Sequence, residues 1–481
     1  MTSTLTTTQE SQSQSQSESE LQSETTTTFQ IGDRIISSDD DHYGTIRYMG
    51  DVDGFAGMWY GIEWDDPTRG KHKGTIKQRT YFGCTGGGSG SFMKIEKLVG
   101  GTNLIHALLR KFGHKIDNYD DLYVLSNLDN KVPIELIGME KIRERQQHLN
   151  GLVSINACDL KISTFNPTPA ILNTLTCLEE LNLSHNLLSN WKDIPDLLKQ
   201  IPTLDKLILS ENRMEVTDEF IDYISTNTAT LQFNNIKTLV LNKTNIKWDR
   251  VVSLCKYMFR ELQVLRLADN HIDSTKLKET EGTEQSEQQE ESLEINSLFP
   301  SLSVLDLCFN TISSFNSIRN IGYLSKLEEL NVSNNLIENI VFPKTMDDGS
   351  TTKIKGFGKL STLYLSHNKI TTVESIDELD LLPSLVDLSL RENPILYTFK
   401  STVESNQSTK KVDMITQSRL NIIPRITSLL AFNLTKITDL ERKDSEIYFL
   451  SEFFKPDIPI NLQSPKIKHL VQIYGEPSYT K

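Results

Sequence analysis

Trp-Tyr-Gly-Ile-Glu-Trp-Asp at residues 59–65 is the stretch that decides the fold of the first hundred residues. Gly-Lys-His-Lys-Gly follows at residues 70–74, and the chain then reads Tyr-Phe-Gly-Cys at 81–84 and Gly-Ser-Phe at 90–92. Glycines and aromatics at this density are typical of short strands joined by tight turns, not of helices. We therefore predict a small β-barrel over residues 29–100.

A basic loop lies among these aromatics. Residues 69–79 contain five Lys or Arg and no Asp or Glu. Cations attract carboxylates, and an aromatic cleft holds an apolar side chain, so the module suits a carboxylate-rich peptide with an apolar end. Aromatics buried in a core beside a solvated loop would give the same pattern. The candidate exposed aromatics of the cleft are Phe55, Trp59, Phe82 and Phe92.

The order and spacing of these motifs resemble the CAP-Gly domain family, whose members are SH3-like β-barrels that capture acidic C-terminal tails ending in an aromatic residue. In that family a Gly-Lys-Asn-Asp-Gly loop contacts the tail, and residues 70–74 stand in its place here. The resemblance therefore assigns tail binding to Lys71, His72 and Lys73 together with the aromatics. His72 replaces Asn and can still donate a hydrogen bond, whereas Lys73 replaces Asp and reverses a charge. Gln78 stands where the family usually has Gly, so we expect a different turn there.

Composition argues against several other functions. The 481 residues carry a net charge of −14, which argues against general nucleic-acid binding. The five cysteines are widely spaced and form no Cys-x-x-Cys pair, so we expect reduced thiols rather than a zinc site or a disulfide scaffold. No Ser/His/Asp, Cys/His or phosphate-loop pattern is present. We expect no catalytic residue, no metal and no cofactor, and nothing implies a homo-oligomer.

The chain shows no targeting or membrane signal. Residues 1–28 are runs of Thr, Ser and Gln with no apolar core and almost no basic residue, so we predict a disordered tail and not a signal peptide. No stretch approaches the roughly 20 apolar residues of a membrane helix. We expect a cytoplasmic protein without a membrane partner.

A second pattern, Leu-x-x-Leu-x-Leu-x-x-Asn-x-Leu, recurs over residues 151–397. This is the leucine-rich repeat pattern, in which no copy can bury its apolar face alone. The copies therefore stack into an α/β solenoid with a parallel sheet on the concave side. One copy has Thr244 at the Asn position, and an acidic insertion at residues 276–296 lengthens one interval. The Asn positions are 186, 212, 270, 310, 335, 368 and 393.

Residues between the repeat leucines are expected to face outward on the concave side. Their mixture of charge, amide and aromatic groups suits protein binding better than catalysis, although much of such a face is energetically neutral even in a complex. We predict a linker and N-terminal cap at residues 101–150 and a helical C-terminal cap and tail at 398–481. The candidate contacts on the concave face are Arg266, Asp306, Tyr364 and Arg391.

The combined architecture resembles the tubulin-folding cofactor E family. Gly-Lys-His at residues 70–72, Leu-Asn-Lys-Thr-Asn-Ile-Lys-Trp at 241–248 and Tyr-Gly-Glu-Pro at 474–477 carry the resemblance. It implies a non-enzymatic protein of the cytoplasm and cytoskeleton that binds α-tubulin. With the tubulin-folding cofactors D, C and B, such a protein assembles or dissociates the αβ-tubulin heterodimer. The family usually ends in a ubiquitin-like domain, which we expect to be absent because the sequence stops at Lys481.

Two alternatives remain open at this stage. A CAP-Gly microtubule-associated scaffold would bind the tails of polymer rather than free dimers. An enzyme or its regulatory subunit would need a spatial arrangement of catalytic groups that sequence order does not show.

Overall fold

A computed structural model of the chain describes residues 29–85, 87–113, 123–125, 131–133, 151–165, 175–277, 294–342, 344–347, 351–354, 356–399, 407–454 and 465–477. The predicted tail at residues 1–28, most of the acidic insertion and most of residues 114–150 lie outside this part of the chain. Two compact units divide the chain, Met1–Thr102 and Asn103–Lys481.

The first unit is a small antiparallel β-domain. Its strands are β1 Arg34–Ser37, β2 Tyr43–Val52, β3 Phe55–Trp64, β4 Thr75–Ile76, β5 Arg79–Thr80, β6 Gly90–Met93 and β7 Leu98–Val99. Five of them form one sheet in the order β6-β3-β2-β1-β7, and β4 and β5 form a separate hairpin. The module is built of strands and turns, as predicted, but β2 and β3 are ten residues long rather than short.

Side-chain alternation along β3 separates the core from the functional face. Tyr60, Ile62 and Trp64 are buried and pack with the core of the sheet. Because successive strand residues point to opposite faces, Trp59 and Gly61 lie on the other face. The sequence at residues 59–65 therefore contributes one set of residues to the core and another set to the opposite face of β3.

The β4–β5 hairpin turns through two residues with left-handed backbone. Lys77 has φ 45° and Gln78 has φ 67°. A two-residue hairpin loop with both residues at positive φ matches the twist of its strands, and Gly or Asn usually fills it. Gln78 therefore adopts the conformation that glycine would take at a lower conformational cost.

The second unit is a solenoid with a helical C-terminal end. Its elements are β8 Thr102–Asn103, α1 Leu104–Gly113, β9 Tyr123–Leu125, β10 Lys131–Pro133, β11 Ser154–Asn156, β12 Ile162–Thr164, β13 Glu180–Asn182, α2 Ile194–Gln200, β14 Lys206–Ile208, α3 Asp218–Thr226, β15 Thr238–Val240, α4 Trp248–Tyr257, β16 Val264–Arg266, β17 Val304–Asp306, β18 Glu329–Asn331, β19 Lys344–Asp347, β20 Thr351–Ile354, β21 Thr362–Tyr364, α5 Val373–Leu379, β22 Asp387–Ser389, α6 Gln407–Ile422, β23 Ala431–Phe432, β24 Thr435–Lys436, α7 Asp439–Phe453 and α8 Pro465–Tyr474.

One sheet runs the length of the solenoid. Within the described residues its order is β11-β13-β14-β15-β16-β17-β18-β21-β22-β23-β24. The strands pair in parallel from β11 to β23, and β24 returns antiparallel to β23. The central repeat leucines, such as Leu181, Leu207 and Leu239, are directly opposite one another and fully buried. The leucine spacing thus builds one continuous core.

Buried asparagines connect the repeats by hydrogen bonds. The Asn270 side chain accepts from the backbone N–H groups of Thr244 and Ile246, at 2.9 and 3.2 Å, and donates to the carbonyl of Leu241 at 2.8 Å. Thr244 keeps part of this pattern because its hydroxyl donates to the same carbonyl at 3.0 Å. Each such side chain satisfies backbone groups that would otherwise be buried without partners.

The C-terminal region is helical, as the predicted fold class requires. Phe449, Leu450, Ile467 and Leu470 of α7 and α8 form a small core of their own. Lys466 attaches α8 to the rest of this unit, since its Nζ donates to the Asp380 carboxylate at 3.2 Å and to the Arg425 carbonyl at 2.6 Å.

Candidate functional site

The loop at residues 70–74 is held against β6 by main-chain hydrogen bonds. The N–H groups of Lys71 and His72 donate to the carbonyl of Gly90 at 2.7 and 3.1 Å, and the N–H of Gly90 donates to the carbonyl of His72 at 2.8 Å. Backbone contacts therefore set the position of this loop, and the side chains of Lys71 and Lys73 are left exposed.

Both glycines of the loop are required by close backbone approach. A Cβ on Gly70 would lie 1.9 Å from the carbonyl oxygen of Gly88. A Cβ on Gly74, which has φ +86°, would lie 2.0 Å from the carbonyl oxygen of Phe82. These distances are far below van der Waals contact, so any other residue would displace the loop.

Phe92 is the centre of a cluster of rings. Its ring centroid lies 5.3 Å from that of His72, 5.4 Å from Phe82, 5.5 Å from Tyr81 and 6.0 Å from Tyr48. Most of these pairs meet edge to face, the favoured arrangement for aromatic quadrupoles. The sequence analysis did not assign two of these five rings, Tyr48 and Tyr81, to the site. Tyr81 could have been suspected because it directly precedes Phe82 in the sequence.

Phe82 differs from its predicted role. It was predicted to be exposed, but it is only 6% exposed, because its ring covers Gly61. A Cβ on Gly61 would lie 2.3 Å from the Phe82 ring and 2.9 Å from the Cβ of Tyr48. Phe82 therefore forms the floor of the cluster, on the face of β3 that Trp59 shares.

Phe55 and Trp59 make a second aromatic contact with cations beside it. Their ring centroids lie 5.8 Å apart. The ammonium of Lys94 lies 4.2 Å above the Trp59 ring and donates to the carbonyls of Ala56 and Met58 at 2.8 and 3.1 Å. Lys94 lies outside the basic loop, so the sequence did not indicate it as part of the site.

His72 is positioned as a neutral hydrogen-bond donor. Its Nδ1 accepts a 3.0 Å hydrogen bond from the N–H of Gly74, which assigns the ring proton to Nε2. Burial, and then the charge of Lys71, lower the pKa of His72. A neutral imidazole with Nε2–H can donate where the Asn side chain of the family motif would.

Two cations of the basic loop are already paired. Arg69 lies 3.6 Å above the Trp64 ring and forms a 3.1 Å ion pair with Asp40. Arg79 forms a 2.8 Å ion pair with Asp53. Among the described residues Lys71, Lys73 and Lys77 form no ion pair, so the charge that this loop offers to a ligand is concentrated at these three exposed lysines.

The predicted concave residues are brought together only in part. Arg266 and Asp306 are neighbours in register, and their side chains pair at 3.4 Å. The Asp306 carboxylate also accepts from the N–H of Cys308 at 3.1 Å, and Asp306 is only 7% exposed, so this candidate contact offers little free surface to a partner. Tyr364 lies two strands further along the sheet.

The other two predicted concave residues lie toward the C-terminal end, where Tyr364 is half-buried and Arg391, like Arg266, is exposed. Burial raises the pKa of the Tyr364 hydroxyl, and Glu329 and Asp387 add to the shift. Arg391 is exposed and follows β22, where its Nη2 donates to the carbonyl of Asn433 at 2.6 Å.

Residues 31–98 match the CAP-Gly domain family. The whole chain is 40% identical to tubulin-specific chaperone E of Dictyostelium discoideum over 503 residues, covering 94% of this chain and 95% of that one. It is 30% identical to tubulin-specific chaperone E of Xenopus laevis, covering 91% and 78%. A solved internalin of Listeria monocytogenes aligns with 71% of this chain and 92% of its own at a TM-score of 0.32 and 16% identity.

Within the described part of the chain, no helix combines the length and the apolar character that crossing a bilayer requires. The match over residues 31–98 covers the strands, the glycine loop and the ring cluster described above. Both relatives share most of their length with this chain, including the repeats. This chain therefore belongs to the tubulin-specific chaperone E family and carries a CAP-Gly domain at its N-terminal end.

Proposed function

We propose that this chain is a tubulin-folding cofactor that binds α-tubulin at two places. The CAP-Gly site takes the acidic C-terminal tail, and the concave face of the solenoid takes the folded body. The observation that carries the proposal is the ring cluster around Phe92, which includes His72 with its Nε2 donor. Lys71 and Lys73 flank His72 in the loop, are exposed, and form no ion pair with any residue that the structure describes.

The chemistry of an acidic tail complements this arrangement. Its carboxylates pair with the two lysines, and such charge-assisted hydrogen bonds are stronger than neutral ones. Its terminal aromatic side chain packs edge to face against the rings, with the half-buried Trp59 and Phe92 as the accessible part of the site and the buried Phe82 beneath. Lys94 adds a cation over Trp59, 4.2 Å from the ring centroid.

Two linked contacts make the affinity higher than either alone. Once the tail is bound, the tubulin body is held near the concave face at a high effective concentration. The chain then acts by binding and not by catalysis, in the cytoplasm and cytoskeleton, with cofactors D, C and B as further partners in assembling or dissociating the αβ heterodimer. The names of the relatives support the coarser part of this proposal, a role as a tubulin chaperone.

Calorimetry with an acidic peptide ending in Tyr tests the tail site. The proposal predicts binding that weakens with added salt, because the lysine contacts are exposed, and that weakens separately when the terminal Tyr is deleted. Equal binding of the intact and the shortened peptide would refute the aromatic cleft.

Partition between free dimers and polymer distinguishes the cofactor from a microtubule scaffold. Full-length chain is mixed with free αβ-tubulin for size exclusion and with stabilised microtubules for co-sedimentation. A cofactor forms a complex with free tubulin, whereas a scaffold sediments with polymer and leaves free tubulin unbound.

A further inference from the structure

A cavity at the C-terminal end of the solenoid has no role in the tail site. Its volume of about 490 Å³ is within the usual range of ligand pockets. It lies between the 3₁₀ turn Pro394–Tyr397, helix α6 and the β23–β24 hairpin. The apolar side chains that line it are Leu396, Tyr397, Met414 and Ile415.

Large apolar side chains that do not belong to the core are exposed around the opening of the cavity. Tyr397, Ile415 and Leu434 are 52%, 54% and 62% exposed. Leu434 sits between two residues that line the cavity and has φ +65°, a backbone conformation that is costly for a residue with a branched side chain. Exposed apolar groups clustered around a cavity are characteristic of interaction sites.

The charge at the rim is uneven. Arg419, which lines the cavity, pairs with the Glu441 carboxylate at 2.9 Å, so its charge is compensated. Arg391 also lines the cavity, and its guanidinium is fixed by donating to the carbonyl of Asn433 at 2.6 Å. Within the described residues Arg391 forms no ion pair, which leaves one oriented cation beside an apolar cavity.

A second acidic group at the rim is engaged by a neighbour. The hydroxyl of Tyr397 donates to the carboxylate of Glu392, which therefore has a partner on the protein. A guanidinium has five donors in a planar fork that matches a carboxylate. Arg391 uses one of them on Asn433, so donors remain for a ligand.

We propose that this cavity is a docking site for a surface segment of the bound protein client in which a large apolar side chain stands next to a carboxylate. The apolar side chain fills the cavity, and the carboxylate pairs with Arg391. A basic segment would instead meet an uncompensated guanidinium. The inference rests on the proposed function, because it takes the client to be α-tubulin, and it places one contact with the tubulin body at the C-terminal end of the solenoid.

Affinity of the full-length chain for purified free αβ-tubulin tests the proposal with two independent variants, Ile415→Asp and Arg391→Glu. Ile415 is exposed, so its replacement leaves the core intact, and thermal melting checks the fold of each variant. Tyr223→Asp and Arg260→Glu are matched controls, because they make the same charge changes at exposed positions of α3 and just after α4. We expect each cavity variant to weaken binding at least tenfold and each control to stay within twofold.

Several outcomes would overturn the proposal, and they are distinguishable. Cavity variants that bind like the wild type refute this docking site while leaving tubulin binding intact. If the control variants lose as much affinity for tubulin as the cavity variants, the loss is an effect of overall charge and not of the cavity. Variants that change only the self-association of the chain show that a second copy fills the cavity. A wild-type chain that binds no free tubulin overturns both this inference and the proposed function.

Discussion

Nδ1 of His72 accepts a 3.0 Å hydrogen bond from the backbone N–H of Gly74, which closes the loop that carries Lys71 and Lys73. The bond exists only while Nδ1 is unprotonated. The glycine that donates it cannot be replaced without a clash, so the side chain and the backbone of this loop depend on each other.

Acid should therefore loosen the loop. Burial and the Lys71 charge lower the pKa of His72 in the folded chain, so the unfolded chain binds the proton more readily. Stability from this group is present at neutral pH and is lost as the pH falls below the unfolded value of about 6.5. We expect hydrogen exchange of residues 70–74, corrected for intrinsic rates, to accelerate between pH 7.5 and 5.5. His72→Gln should remove this pH dependence, and an unchanged profile in that variant would rule out His72 as its source.

Lys71→Ala should weaken binding of an acidic peptide ending in Tyr by roughly 1–3 kcal/mol, the cost of losing a charged hydrogen-bond partner at an interface. Calorimetry on the full chain measures the effect. Lys97→Ala is the matched control, because Lys97 lies in the same domain but is paired with Asp39 at 2.7 Å. Equal affinities of the two variants would exclude a direct role of Lys71.

Gly74→Ala should destabilise the CAP-Gly domain by roughly 1–3 kcal/mol or more. Alanine is strained in the left-handed backbone conformation of residue 74, and its Cβ would also clash with a neighbouring carbonyl group. The added Cβ would meet the carbonyl oxygen of Phe82 at 2.0 Å. Gly83→Ala is the control, since a Cβ at Gly83 meets nothing within 4 Å. Thermal denaturation should separate the two variants, and identical melting curves would contradict the close approach.

Asn270→Ala should destabilise the solenoid by about 2–4 kcal/mol, because it leaves several buried backbone groups without partners. Among them are the N–H of Thr244 and the carbonyl of Leu241, bonded at 2.9 and 2.8 Å. Asn234→Ala, at an exposed position between repeats, should change the free energy of unfolding by less than about 0.5 kcal/mol. Denaturant titration compares the two variants. Similar unfolding midpoints would mean that water replaces the hydrogen bonds that Asn270 makes to these backbone groups.

The repeat array was predictable because its signal is periodic and local. Leucine spacing and the recurring Asn report directly on a strand and a turn within each copy, and the buried positions such as Leu239 and Asn270 follow from it. The two-stranded hairpin β19–β20 inside a long repeat interval was not predicted, since an insertion has no repeat pattern to interpret.

The ring cluster was less predictable because a β-bulge decides its membership. The register of β2 against β3 shifts between Ile46 and Tyr48, so that Tyr48 lies opposite Gly61. Simple alternation from the buried Ile46 would turn Tyr48 into the core, whereas the extra residue turns it to the side of Phe82. Sequence alternation cannot reveal such a shift.

Ion pairs between residues far apart in the chain also could not be predicted from the sequence. Arg69 belongs to the basic loop, but its partner Asp40 is 29 residues away, and only the folded chain brings them to 3.1 Å. The loop therefore offers fewer free cations than its composition indicates. We therefore expect the salt sensitivity of peptide binding to arise mainly from the lysines of this loop, Lys71, Lys73 and Lys77, which form no ion pair among the described residues.

The most direct measurement for two-site binding is the affinity of the full chain for free αβ-tubulin before and after proteolytic removal of the acidic α-tubulin tail. If the CAP-Gly domain binds the tail and the solenoid binds the tubulin body, the intact dimer should bind tightly. The tail-less dimer should still bind, but on the order of 10²-fold more weakly. Equal affinity for the two forms, complete loss of binding without the tail, or binding to polymerised microtubules alone would contradict two-site binding.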